Sequence, residues 1–165
     1  MKNERFKISI PNKKIQSANF RYPLSNFYKF AAMLKDIISE EVKDIGIAVV
    51  KESEAVNDWK VYFINLSDHR LENVIINSSG FGVNEDSQSI STATFRHYME
   101  SVKPRCAISF EIIMEEIFHL SNRFWVSFYI GKKIYERKYE FVPGSISTEF
   151  FVPVPFTGKQ GVMII

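Results

Sequence analysis

The sequence predicts a mainly β protein: an antiparallel β-sandwich, immunoglobulin-like in its general architecture, with one N-terminal amphipathic helix. Three observations lead to this prediction. About eight short segments alternate apolar and polar residues, as strands with one buried face do. Only residues 25–41 repeat apolar residues at helical spacing, and no strand-helix-strand alternation indicates a parallel sheet. Aromatic residues make up 15% of the chain, which indicates a core packed with rings.

Length and composition favour a single domain spanning residues 1–165. A chain that is 45% hydrophobic and 24% charged can bury a core without metal or disulfide support. Its one cysteine, Cys106, cannot form an internal disulfide bond and is interpreted as a small strand residue. No apolar run approaches the ~20 residues of a membrane span, and residues 1–10 lack the apolar centre of a secretory signal. A cytoplasmic location is therefore expected.

The N-terminal arm, residues 1–24, is basic and is predicted to contain a short strand at residues 5–10. Residues 1–30 carry seven Lys or Arg and one Glu, whereas residues 31–165 carry 14 basic and 18 acidic residues. Two interpretations stay open, because the arm could pack on the acidic body or could bind nucleic acid. Binding would use cations against phosphates and rings against bases. The arm residues suited to partner binding are Lys13, Lys14, Arg21 and Tyr22.

Residues 25–41 are predicted to form the amphipathic helix. Apolar residues recur three or four positions apart, and Ser25 or Asn26 can cap the first turn. A lone helix of this length is marginal in water, so its apolar stripe is expected to lie across a sheet.

Residues 45–165 are predicted to form the sandwich. Strands are expected at residues 45–50, 59–66, 71–76, 92–99, 105–113, 121–130 and 134–141, with a last edge strand at 162–165. The third of these is expected to end at Asn77-Ser78-Ser79-Gly80, and residues 85–91 are expected to form a polar loop. Residues 114–120 fit either one helical turn or a continuation of the preceding strand.

The stretch Ser121 to Val142 is predicted to be an aromatic-rich hairpin that turns at Gly131, since glycine readily adopts the positive φ of a tight turn. The register stays open. A two-residue loop sets Phe128 opposite Tyr135, whereas a three-residue loop sets Tyr129 opposite Tyr135. Either register leaves charges facing apolar residues, so the second strand is predicted to be an outer strand with one solvated face. One face of the first strand carries Phe124, Val126, Phe128 and Ile130, and the other carries Trp125, Ser127 and Tyr129.

Motifs that carry catalysis or metal binding are weak in this chain. No phosphate-binding glycine motif and no Gly-x-Ser-x-Gly elbow occurs. Glu116 and His119 form one Glu-x-x-His motif, but a carboxylate dimetal site needs two copies on helices and further glutamates. Asp68 beside His69, and His97 near Glu100, resemble halves of acid-base pairs, yet alternating polar residues of a β protein explain them equally well. We expect no catalytic residue, no metal and no cofactor.

Four stretches carry a resemblance to a known group of proteins: WKVYFINLSDHRLENVIINSSGFG, FRHYME, FEIIMEEIF and FWVSFYI. Over residues 46–165 the chain resembles short bacterial proteins of unknown function, some labelled as a phenylalanyl-tRNA synthetase subunit. The resemblance implies no characterised activity. That synthetase class uses a Phe-Arg-x-Glu motif and a late Gly-x-Gly-x-x-Arg motif. Here the segment from Phe95 to Glu100 is two residues too long and the glycine motif is missing, so aminoacylation is not expected.

The expected function is that of a noncatalytic protein-interaction or self-association module. An exposed outer strand offers a surface for strand addition by a protein partner or a second copy. Tyr135 and Tyr139 on the outer strand are predicted to contribute to this surface. The alternative function is a nucleic-acid accessory protein that uses the basic arm.

Overall fold

The computed structural model describes residues 44–53, 58–83 and 86–165, and these residues form a mainly β, antiparallel structure. The predicted arm at residues 1–24 and the predicted helix at residues 25–41 lie outside the described residues. Ten strands follow one another along the described chain: β1 (Ile45–Ser53), β2 (Asp58–Asn65), β3 (Leu71–Val83), β4 (Ser89–Ser91), β5 (Phe95–Val102), β6 (Cys106–Ile113), β7 (Ser121–Ile130), β8 (Lys133–Phe141), β9 (Val152–Val154) and β10 (Lys159–Ile164).

The strands belong to two antiparallel sheets. Sheet 1 has the order β6-β2-β1-β10-β9. Sheet 2 has the order β4-β3-β7-β8, and β5 also pairs with β3. Because β3 is 13 residues long, β5 and β4 pair with successive parts of it while β7 pairs along its other side. Among the described residues, the edges of sheet 2 are therefore β8 on one side and β5 with β4 on the other.

Both sheets contribute to one apolar core. Alternate residues of each strand point inward, so β1 supplies Ile45, Ile47 and Val49 while β7 supplies Phe124 and its neighbours. Tyr139 of β8 connects the two sheets directly, since its hydroxyl donates a hydrogen bond of 2.9 Å to the Ile45 carbonyl. The predicted mainly β, antiparallel class is confirmed, and two sheets around a shared core are consistent with a sandwich.

The hairpin predicted around Gly131 is confirmed and its register is resolved. β7 and β8 are joined by the two-residue loop Gly131-Lys132, and Phe128 lies opposite Tyr135. Gly131 has a φ of 59°, which a side chain would make unfavourable. The predicted division of the β7 side chains between two faces is also confirmed, because Phe124 and Phe128 are buried whereas Trp125 and Tyr129 are exposed.

The predicted end of the third strand at Asn77 to Gly80 is wrong, since β3 continues to Val83. The polar side chains of this stretch have strand-compatible partners: Asn77 accepts a hydrogen bond from Arg96, and Ser78 donates one to Glu111. Gly82 packs closely against Leu120, since a Cβ there would lie 2.9 Å from Leu120 Cδ2. Tertiary contacts therefore override the local turn preference of the sequence.

Two further predictions need correction. The polar loop at residues 85–91 contains the short strand β4 at its end, which pairs with β3. The last strand, β10, is not an edge strand, since it lies between β1 and β9. Of the two alternatives for residues 114–120, the structure has a helical turn, a 3₁₀ segment at Glu115–Ile117. It and a second 3₁₀ segment at Thr148–Phe150 are three residues each, and no helix within the described ranges could cross a membrane.

Candidate functional site

The solvent-facing side of sheet 2 carries a group of large side chains that the core does not use. Alternation along β7 directs Trp125 and Tyr129 away from the core, and the register places Ile134 opposite Tyr129. Tyr98 of β5 lies on the same face, since its register partner is Ile75 in the middle of β3. We call these four side chains the outer aromatic patch; their exposed fractions are 60% for Tyr98, 51% for Trp125 and 38% each for Tyr129 and Ile134.

Polar groups surround the outer aromatic patch at fixed positions. The Tyr98 hydroxyl donates a hydrogen bond of 2.9 Å to Asn73 Oδ1, and Arg96 Nε donates one of 2.9 Å to Asn77 Oδ1. Trp125 lies between Asn77 and Lys138 in the register of the sheet. Aromatic rings with polar neighbours on a flat sheet are typical of protein-binding surfaces rather than of enclosed catalytic sites.

The edge strand β8 borders this face, and within the described residues it pairs only with β7. Its outward-facing side chains alternate in charge. Glu136 lies opposite Ser127, and Lys138 lies opposite Trp125. Lys138 Nζ is 3.6 Å from a carboxylate oxygen of Glu140, which also lies 3.4 Å from a guanidinium nitrogen of Arg123. The edge therefore combines open backbone groups with a mixed-charge surface.

The two tyrosines predicted for partner binding both face the core side of β8. Tyr135 is half-buried and stacks on Phe128, with 5.7 Å between the ring centroids. Tyr139 is only 1% exposed, and burial raises the pKa of its hydroxyl far above the ordinary value. We correct its predicted role: Tyr139 is a core residue, because its hydroxyl is held by the Ile45 carbonyl. Lys13, Lys14, Arg21 and Tyr22 lie outside the described residues.

A polar cluster that the sequence analysis missed lies between the sheets, where edge strands β5 and β6 approach each other. Glu111 Oε2 accepts a hydrogen bond of 2.6 Å from Ser78 Oγ and lies 2.8 Å from His97 Nε2. The Glu111 side chain is 14% exposed. A Ser-His-acid triad needs the histidine between the other two groups, whereas here the carboxylate is in the centre. The arrangement holds a carboxylate in place and does not activate the serine.

A β-bulge explains why Glu111 was missed. The register of β6 against β2 skips Phe110, so that Glu111 lies opposite Val61 and Ile112 lies opposite Lys60. Strict alternation from Ile108 would have directed Ile112 inward and Glu111 outward. Because of the extra residue, Glu111 faces inward and Ile112 faces outward, and Ile112 is 68% exposed. The one available signal was a charged residue inside an otherwise apolar run.

The other chemical motifs of the sequence are separated by the fold. His97 contacts Glu111 rather than Glu100. Asp68 forms an exposed ion pair with Arg105 at 2.7 Å, and the hydrogen bond and charge of Arg105 lower the pKa of the Asp68 carboxyl. No group of three or more His, Cys, Asp or Glu side chains in the described ranges is placed to hold a metal ion.

Glu115 and Cys106 have structural partners. Glu115 accepts a hydrogen bond of 2.6 Å from Trp59 Nε1, which ties the 3₁₀ segment to β2. Burial raises the pKa of the Cys106 thiol, and its sulfur contacts the Lys103 carbonyl at 3.1 Å. A raised pKa leaves less of the reactive thiolate at neutral pH.

Comparison with known proteins adds no assignment: no protein-family model matches the chain, and neither does any curated protein sequence.

Proposed function

We propose that this chain is a noncatalytic interaction module that self-associates through β8. The observation that carries the proposal is the open edge of β8, whose outward charges are arranged so that a second copy complements them. Three members of the outer aromatic patch, Ile134 of β8 and Trp125 and Tyr129 of the adjacent β7, supply apolar area near this edge that strand pairing alone would lack. The proposal also includes the immunoglobulin-like sandwich with an N-terminal helix and the cytoplasmic location that the sequence predicts.

The complementarity follows from the symmetry of an antiparallel pair. A two-fold axis perpendicular to the sheet keeps equivalent faces on the same side, so facing residues come from the same face of each copy. With the axis at Arg137, Glu136 of each copy faces Lys138 of the other. Opposite charges directly across an antiparallel pair stabilise it, whereas like charges oppose it. The two Glu-Lys pairs favour this register over its neighbours.

Adjacent registers lack this match. Moving the axis by one residue along β8 would place Glu136 opposite Glu136, or Lys138 opposite Lys138, on the same face. Like charges at that position repel each other. On the outer face, the charge pattern thus favours one register. On the core-facing side, the same register sets Arg137 opposite its copy, with each guanidinium 5.2 Å from the ring centroid of the neighbouring Tyr139.

A charge exchange tests the proposal by measuring the mass of the protein in solution. The native chain at high micromolar concentration is expected to scatter light as a dimer. Glu136→Lys places four lysines around the axis and is expected to weaken dimerisation by about tenfold, since each lost pair and each new repulsion costs about 0.2–1 kcal/mol. The double variant Glu136→Lys with Lys138→Glu restores both pairs and is expected to restore the dimer.

A charge change at a distant edge provides the control. Lys159→Glu is unsuitable because Lys159 is paired with Glu52, so Glu100→Lys on the exposed face of β5 is the matched variant. It is expected to leave the dimer unchanged. A native chain that stays monomeric, or a double variant no better than Glu136→Lys alone, would overturn self-association through β8. A complex with a different protein would then be the remaining form of the interaction hypothesis.

The nucleic-acid alternative depends on Lys13, Lys14 and Arg21, which lie outside the described residues, and it stays a prediction. Changing all three to Ala is expected to abolish any salt-sensitive binding of RNA or DNA. An unchanged affinity would exclude the arm as the binding element.

A further inference from the structure

The space between edge strands β5 and β6 forms a cleft that neither the core nor the β8 edge uses. Two adjoining cavities of about 380 and 420 Å³ open there, and Phe95, Glu111 and Ile112 line both of them. Cavities of this size fall within the range of sites for small organic ligands, which is about 300–1,000 Å³. The cleft is therefore large enough for a ligand and has one shared ionisable group at its centre.

Glu111 is the polar anchor of this cleft. The bulge in β6 directs its side chain into the space between the sheets, where 14% of it is exposed. Oε2 is occupied by Ser78 and His97, whereas Oε1 has no hydrogen-bond partner among the described residues. Ser78 is 3% exposed, and its hydrogen bond to Oε2 fixes the position of the carboxylate. The free oxygen is thus held in place before any ligand arrives, which lowers the entropic cost of binding.

The surroundings of Glu111 favour a positively charged ligand group. A carboxylate that is largely removed from water gains most from a partner that is both a hydrogen-bond donor and a cation. The first cavity has no Lys, Arg or His side chain in its lining, whereas Lys60 and His97 line the second. In the first cavity, an anionic ligand would meet repulsion from Glu111 with no cationic side chain in the lining to offset it.

The walls of the cleft favour an apolar ligand body. Phe95, Ile112 and Met114 are 57%, 68% and 62% exposed, which is unusual for such large apolar side chains at one location. Phe124 and Ile117 continue the apolar wall inward. A ligand that covers these side chains would remove their apolar surface from water, which favours binding by about 25 cal/mol per Å² of buried surface.

We propose that the cleft between β5 and β6 binds a small organic cation, in which a protonated amino group on an apolar or aromatic body is paired with Glu111 Oε1. The Glu111 carboxylate supplies the charge recognition, and Phe95, Ile112 and Met114 cover the body. This site is independent of dimerisation through β8, because β5 and β8 lie at opposite edges of sheet 2.

Three matched probes test the inference with the full chain at neutral pH: 4-phenylbutylamine, 4-phenylbutanol and 5-phenylpentanoate. They share one phenylbutyl body and differ only in a cationic, neutral or anionic head group. Titration followed by amide chemical shifts is expected to give saturable changes at Phe95, Glu111 and Ile112 with the amine. The alcohol is expected to bind at least about tenfold more weakly, and the carboxylate more weakly still.

Variants separate the proposed site from nonspecific binding. Glu111→Gln keeps the shape and the acceptor for Ser78 but removes the charge, and it is expected to weaken amine binding by about tenfold. Glu100→Gln, on the solvent-facing side of β5, is expected to leave the affinity unchanged. If Glu111→Gln does not fold, the exposed Ile112→Ser tests the apolar wall and is expected to weaken binding by about fivefold. Absence of saturable shifts, equal affinity for the carboxylate probe, or an affinity that neither variant changes would overturn the proposal.

Discussion

Asn65 shows how one buried amide can organise three segments of the described structure. Its side chain is fully buried, and Nδ2 donates hydrogen bonds to the carbonyls of His69 at 2.8 Å and Lys103 at 2.9 Å. Oδ1 accepts from the backbone nitrogen and the hydroxyl of Ser67, at 3.1 and 2.7 Å. All four positions of the amide are used, so the side chain joins the end of β2, the turn after it and the segment after β5.

Asn65→Asp is expected to destabilise the protein by about 3 kcal/mol, because a carboxylate oxygen would face two carbonyl oxygens in a buried site. Urea unfolding monitored by fluorescence measures the change. The matched control is Asn77→Asp on the outer face of sheet 2, where Oδ1 only accepts a hydrogen bond from Arg96. That control is expected to stay within about 0.5 kcal/mol of the native chain. Equal effects of the two substitutions would contradict the role assigned to Asn65.

At the scale of the element, the turn between β7 and β8 was predictable because one residue determines it. Gly131 has a φ of 59°, and a Cβ added there would meet no atom within 4 Å. Gly131→Ala is therefore expected to cost about 1 kcal/mol from backbone conformation alone. Gly131→Asn is expected to cost less, since asparagine tolerates this region better. Midpoints of urea unfolding compare them, and an alanine variant as stable as the native chain would contradict this account.

Other elements were not predictable from alternation, for a physical reason that β6 illustrates. A single extra residue, Phe110, reverses which side chains face inward after it. The sequence contains no turn or glycine at that point to indicate the bulge. The Glu111 cluster also joins β6 to Ser78 of β3 and His97 of β5, residues that are far apart in the chain. Local periodicity predicts which residues form a strand, but a site assembled from three strands depends on their packing.

At the scale of the whole molecule, the mainly β, antiparallel class followed from the sequence but the strand order did not. Hairpin partners such as β1 and β2 are consecutive in the chain and could be expected to pair. In contrast, β1 also pairs with β10 near the end of the chain. That closure places β10 inside sheet 1 and leaves β9 at its edge, which is why the predicted edge position of residues 162–165 was wrong. Long-range pairing depends on which strands compete for each edge, and periodicity carries no information about that.

One polar cluster connects three strands of sheet 1 across this closure. Glu52 of β1 accepts a hydrogen bond of 2.5 Å from the Tyr62 hydroxyl of β2, and it forms an ion pair with Lys159 of β10. Burial by itself would raise the pKa of Glu52, but the hydrogen bonds from Lys159 and Tyr62 outweigh it and the pKa is lowered. The pKa of Lys159 is raised by the same two partners.

The lowered pKa of Glu52 determines how the stability of the molecule depends on pH. A carboxyl whose pKa is lower in the folded state stabilises the fold above its ordinary value of 4.5, and this contribution is lost as pH falls through the folded pKa. Glu52→Gln is expected to lower the unfolding free energy by about 1 kcal/mol at neutral pH, a value reduced because Lys159 is partly exposed. In urea unfolding repeated at successively lower pH, the difference from the native chain is expected to shrink, because the contribution of the carboxylate is lost as pH falls through its lowered folded pKa. Asp68→Asn, which removes an exposed ion pair, should leave the midpoint unchanged at neutral pH. A difference for Glu52→Gln that persists undiminished in acid would show that packing, and not the charge of Glu52, joins the three strands.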